Sequence, residues 1–119
     1  MSGKLTTHVL DTANGCPGKG IAIALWQLDP DDDSKSLLKT VETNNDGRTE
    51  EPLLTGEEFK AGVYELVFTV GNYFARYGDY ADPLFLDKIP IRFGIADTEA
   101  HYHVPLLVSP WSYSTYRGS

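Results

Sequence analysis

Short runs whose side chains alternate with a period of two recur along the whole chain, and turn residues separate them. An extended backbone sets residues i and i+2 on one face, so each run suits a strand with one face buried. In GVYELVFTV, Val63, Glu65 and Val67 oppose Tyr64, Leu66 and Phe68. In KLTTHVLD, Leu5, Thr7 and Val9 oppose Thr6, His8 and Leu10. IAIALWQLD is apolar on nearly both sides, as a strand inside a packed sheet can be. LLKTVETN, DKIPIRFGI, HYHVPLLVS and SYSTYR complete the set, and Ile89, Ile91 and Phe93 share a face. Pro105 and Pro110 lack a backbone donor, which favours a sheet edge, a strand end or a bulge.

The punctuation between runs is equally regular. ANGCPGKG is a turn-rich break and PDDDSKS a solvated loop. NNDGR carries Asp46-Gly47, a strong short-range hairpin signal. TGEEF is suited to a brief helical turn, with Thr55 as cap and Glu58 at the third position. In GNYFARYGDYADP, Tyr73, Phe74 and Tyr77 would share one side of a short helix. Seven or eight short strands with frequent turns predict an all-β antiparallel sandwich or barrel. There is no recurring strand–helix unit, glycine-rich phosphate loop or internal repeat. With 119 residues, 1–119 reads as a single domain. A domain of this size buries roughly two thirds of its unfolded surface without disulfides.

Charge narrows the function. Seventeen acidic against ten basic residues give a net charge of -7. That speaks against nucleic acid and anionic membranes as partners, since both need a basic footprint. A small anion inside a cleft is still allowed, because local charge governs there. The one cysteine, Cys16, cannot form a disulfide within the chain and reads as an incidental loop thiol. No signal-like or membrane-spanning apolar run is evident, so a cytoplasmic location is expected.

The chemistry-bearing residues cluster in a few places. His101 and His103 are two apart, which puts both rings on one face of a strand, roughly 7 Å apart. His8 lies on another alternating strand. Three imidazoles suit a zinc site or acid–base work near neutral pH, although no further metal-binding motif accompanies them. Arg48 follows the Asp-Gly turn, where its planar cation could grip a carboxylate, an enolate or a heteroaromatic anion. Tyr113, Tyr116 and Arg117 suit a polar edge strand. The closing Tyr-Arg-Gly-Ser follows an apolar strand with almost no spacer, which implies that it is held against the domain.

Three segments in order, LTTHVLDTANGCPG, TNNDGR and HYHVPLLVSPWSYSTYRGS, resemble the signatures of the transthyretin-like 5-hydroxyisourate hydrolases. The terminal Tyr-Arg-Gly-Ser resembles the mark that separates these enzymes from hormone-carrying transthyretins. Departures are mild: NGCPG replaces a more usual turn, and YGDYADPLFLDK looks like a variable loop. The resemblance implies a transthyretin-like (prealbumin-like) sandwich of two four-stranded sheets with one short helix, corresponding to NYFARY. It implies a homotetramer, a dimer of dimers, with sites in the channel where dimers meet. The implied reaction is metal-independent, cofactor-free hydrolysis of 5-hydroxyisourate, a small purine-derived substrate. His8, Arg48, His103 and Ser119 are implied to be catalytic. His101, Tyr116, Arg117 and Gly118 join them around the substrate. Which of His8 and His103 serves as base is open at this level. The runner-up is a transthyretin-like carrier of the same fold, which would not need the histidines, Arg48 or the terminal tetrapeptide.

Overall fold

The computed structural model describes residues 3–118. Among them, nine strands form two sheets. Numbered in chain order, the first sheet holds β1 (Lys4–Asp11), β2 (Cys16–Pro17), β5 (Leu54–Thr55), β8 (His101–Val108) and β9 (Tyr113–Thr115). Its order is β2-β1-β8-β9, with the two-residue β5 also paired to β1. The second sheet holds β3 (Ala22–Leu28), β4 (Lys35–Glu42), β6 (Gly62–Thr69) and β7 (Lys88–Ile95), in the order β4-β3-β6-β7. The fold is the transthyretin-like sandwich expected, with β5 a small addition to one four-stranded layer.

The period of two decides which face each strand buries. Leu5 and Val9 of β1 and Leu106 and Val108 of β8 have no exposed surface, nor do Leu25 of β3 and Leu66 and Phe68 of β6. Their side chains form one core between the layers, joined by Ile89 and Ile91 of β7. Truncating such a leucine to alanine costs roughly 2–5 kcal/mol.

The alternate residues of β1 and β8, including Thr6, His8, His101 and His103, turn outward and are half-buried. Thr7 fixes the alignment of these two strands by donating its hydroxyl to the Val104 carbonyl at 2.7 Å.

Five local expectations change. Pairing is not wholly antiparallel: β1 and β8 run parallel, with Thr6 opposite His103 and His8 opposite Pro105. These strands come from opposite ends of the chain, so no tight turn has to join them. Asp46-Gly47 makes a turn but not a hairpin. The segment crosses from β4 in one sheet to the edge of β1 in the other, where Arg48 bridges His8. The helix α1 covers Gly71–Phe74, shorter than NYFARY; Tyr73 and Phe74 are buried while Tyr77 is exposed. Gly56–Glu58 forms one 3-10 turn, and Thr55 stands before it without a side-chain capping bond.

Pro105 lies inside β8 rather than at an edge. Gly118 N donates to the His103 carbonyl at 2.7 Å, which sets odd-numbered β8 backbone groups toward β9. The missing donor of Pro105 therefore falls where β9 has already ended at Thr115. Thr115 satisfies the Pro105 carbonyl with its hydroxyl at 2.7 Å.

Candidate active site

Three segments build the site: the outward stripe of β1, the outward stripe of β8 and the 44–48 turn. On β1 the stripe reads Lys4, Thr6, His8; on β8 it reads His101, His103. Parallel pairing sets Lys4 opposite His101 and Thr6 opposite His103. The two imidazole rings of β8 lie 6.1 Å apart, centroid to centroid. Both turn to one hydroxyl. Thr6 Oγ1 is 2.7 Å from His101 Nε2 and 2.8 Å from His103 Nδ1.

The turn delivers Arg48. Asn44 folds it by accepting two amide hydrogens at its side-chain oxygen, from Asp46 at 2.9 Å and from Arg48 at 3.1 Å. Gly47 then packs against β1, its carbonyl accepting from Val9 N at 2.8 Å. Gly47 has φ +76°, and a Cβ there would lie 2.4 Å from the Val9 carbonyl oxygen, so glycine is required. The exposed Asp46 carbonyl accepts from His8 Nε2 at 2.9 Å. A carbonyl can only accept, so neutral His8 carries its proton on Nε2 and keeps a lone pair on Nδ1.

Electrostatics tie these groups together. Burial lowers His103 below its ordinary pKa, reinforced by Arg48, His101 and His8. Burial also lowers His8, with Arg48 adding to it and the Asp46 carbonyl and carboxylate opposing it. His101 is lowered by burial and then by Lys4. The arrangement is a half-buried cluster of neutral imidazoles beside a permanent cation. Such a cluster can accept a proton and stabilise negative charge at one place.

Among the described residues of the closing tetrapeptide, Gly118 and Arg117 lie on different sides of the sheet. Gly118 bridges His103, and a Cβ there would come within 2.8 Å of His103 Cδ2. Arg117 goes the other way: its guanidinium carbon stands 4.1 Å from the ring centroid of Tyr102, which faces the core side of β8. Arg117 and the exposed Tyr116 line a groove of about 200 Å³ with Ile91, Phe93, Tyr102 and Val104. Ser119, expected to be catalytic, lies outside the described residues. So His8, Arg48, His101, His103 and Gly118 come together, while Arg117 does not join them. Among the described residues, no three or more of His, Cys, Asp and Glu converge to hold a metal ion.

Thr6, Asn44 and Lys4 were not singled out from the sequence. For Thr6 and Lys4 a signal existed, since they share the stripe of His8 at spacings of two and four. Cys16 stands apart, 3.8 Å from the Tyr73 hydroxyl. Tyr73 donates to the buried Asp11 carboxylate at 2.7 Å.

The sequence pattern of the HIUase/Transthyretin family matches residues 5–118. A protein of Ralstonia nicotianae named 5-hydroxyisourate hydrolase is 60% identical over 118 residues, covering 98% of this chain and 99% of that one. The solved structure of Klebsiella pneumoniae 5-hydroxyisourate hydrolase superposes with a TM-score of 0.79 at 33% identity, over 100% of both chains. A solved (S)-allantoin synthase gives a TM-score of 0.91 at 52% identity, over 98% of this chain but 44% of that one.

Proposed function

Since the chain belongs to the HIUase/Transthyretin family, we propose that it hydrolyses 5-hydroxyisourate, the reaction for which its close relatives are named. Water adds at the C6 carbonyl, the six-membered ring opens, and the product is 2-oxo-4-hydroxy-4-carboxy-5-ureidoimidazoline. The reaction needs a base for water, a counter-charge for the oxyanion and a proton for the departing ring nitrogen.

The observation that carries this reading is the meeting of His8, Arg48 and His103 on one outward face of β1 and β8. His103 acts as base. Its Nδ1 is engaged by Thr6, which leaves Nε2 for water. The proton taken from water returns to the ring nitrogen as the C–N bond breaks, and the new carboxylic acid ionises. His8 presents the Nδ1 lone pair to a substrate N–H, because its Nε2–H is spent on Asp46. Arg48 stabilises the oxyanion. Ser119 would complete the pocket with its hydroxyl. Neither a covalent intermediate nor a metal ion is called for in this scheme.

The same reading includes a homotetramer in which the outward face of β1 and β8 meets its counterpart, and a cytoplasmic setting. Among the described residues, no helix is long and apolar enough to cross a membrane.

The test is the decay of freshly generated 5-hydroxyisourate, followed by absorbance with and without the purified protein. Decay accelerated in proportion to enzyme is expected. A rate equal to the spontaneous one in buffer overturns the assignment, and light scattering of the same sample reports the assembly state.

A further inference from the structure

Thr6 takes no direct part in the scheme above, yet its hydroxyl is the point at which two imidazoles meet. Both distances, 2.7 and 2.8 Å, are those of full hydrogen bonds. A hydroxyl has one hydrogen and two lone pairs, and a neutral imidazole has one donor and one acceptor nitrogen. Thr6 can therefore donate to only one ring, and at least one ring must donate to it. If it donates to His103 Nδ1, the His103 proton sits on Nε2 and the cleft loses its base. If it donates to His101 Nε2, His103 keeps its proton on Nδ1 and turns a bare Nε2 outward.

The surroundings select the second order. Arg48, the permanent cation that acts on His103, disfavours an N–H on the ring edge it faces, and the Nδ1 edge is already taken by Thr6. The remaining charged and titratable groups acting on the pair are Lys4, on His101, and His8, on His103. We propose that Thr6 is a positioning residue that locks His103 in the Nδ1–H tautomer, with His101 as the fixed acceptor of the Thr6 hydroxyl hydrogen. The inference rests on the hydrolase reading for its catalytic consequence, but the tautomer itself is a property of the free protein. It gives His101 a defined part: it terminates the chain Nδ1–H(103)···Oγ1–H(6)···Nε2(101).

Nitrogen-15 NMR of histidine-labelled protein, at a pH where the imidazoles are neutral, reads the tautomer directly. Resonances are assigned with single histidine-to-glutamine variants. For His103, a protonated Nδ1 and a bare Nε2 are expected; the reverse pattern in the wild-type protein overturns the proposal without reference to any substrate. Thr6→Val keeps the shape and removes the hydroxyl. It should shift His103 toward Nε2–H and lower kcat about ten- to a hundredfold with little change in KM, the size of loss usual for an orienting partner. Thr6→Ser should restore both the tautomer and most of the rate. An unchanged tautomer and pH–rate profile in Thr6→Val would overturn the role. If that variant does not fold, the wild-type spectrum and Thr6→Ser decide. Loss of the hydrolase reading appears separately, as wild-type protein that fails to accelerate 5-hydroxyisourate decay.

Discussion

The outward faces of the two sheets handle charge in opposite ways. On the second sheet, Glu65 of β6 is almost fully buried between two cations: Lys35 Nζ lies 2.8 Å from Oε2, and Arg92 Nε lies 3.2 Å from Oε1. Burial pushes the Glu65 carboxyl up, but the bonds from Lys35 and Arg92 outweigh it and hold the group below its ordinary value. Glu65 and its two cations satisfy one another. On the first sheet, Lys4, His8, Arg48, His101 and His103 gather on one face, with Asp46 as the opposing carboxylate. Even in a chain of net charge -7, such a gathering of cationic and basic groups favours an anion on this face. One face is satisfied by the protein itself, and the other is left for a substrate.

Substitutions can break this contrast. The largest effect is expected from Arg48→Ala, which should lower kcat/KM about a hundred- to a thousandfold, as removal of an oxyanion-stabilising group does. Circular dichroism and thermal melting should stay as in the wild type, because Arg48 is exposed. A near-normal rate would remove the cation from the mechanism.

Glu65→Gln attacks the other face. It takes the carboxylate from Lys35, leaves Arg92 only the more distant Asp33, and should cost roughly 1–3 kcal/mol in denaturant unfolding, with kcat unchanged. The same carboxyl gives a pH signature. Its folded pKa lies below the ordinary 4.5, so its stabilisation is present above that value and is lost as pH falls through the folded value. The acid arm of the stability curve should flatten in Glu65→Gln.

Histidine titration sharpens the comparison further. All three imidazoles titrate below the ordinary 6.5, so the basic form, and with it activity, persists to lower pH than a free imidazole would allow. Arg48→Gln should raise the NMR-measured pKa of His8 and His103, since both feel the guanidinium. His101, lowered by burial and Lys4, should move least. The smallest effect is expected from Lys39→Ala. Its 3.9 Å contact with the exposed Glu58 is a surface pair, and its loss should change stability by less than about 1 kcal/mol.

What the sequence disclosed follows the range of the forces involved. Alternation is local, so the faces of β1, β6 and β7 were legible, as was the fact of a turn at Asp46-Gly47. The destination of that turn is nonlocal. A hairpin and a crossover need the same glycine with positive φ, and only the Val9 carbonyl against Gly47 distinguishes them. The parallel partnership of β1 and β8 was hidden for the same reason. Within the site, resemblance pointed to the histidines, Arg48 and the tail as a unit. Backbone alternation splits that tail, because Gly118 lies beside His103 while Arg117 covers Tyr102. Thr6 passed unnoticed because threonine is ordinary in a strand, and its meaning depends on two rings placed beside it from residues 101 and 103.

The adjacency of β1 and β8 also bears on how the molecule comes into being. Residues 4–11 are synthesised some ninety residues before their neighbours at 101–108. The His8–His103 meeting cannot form until β8 is made, and the contact order of this pairing is high, a feature of domains that fold in milliseconds to seconds rather than microseconds. Until then β1 lacks its central neighbour, and its unpaired backbone is the segment of the nascent chain most in need of protection from stray strands.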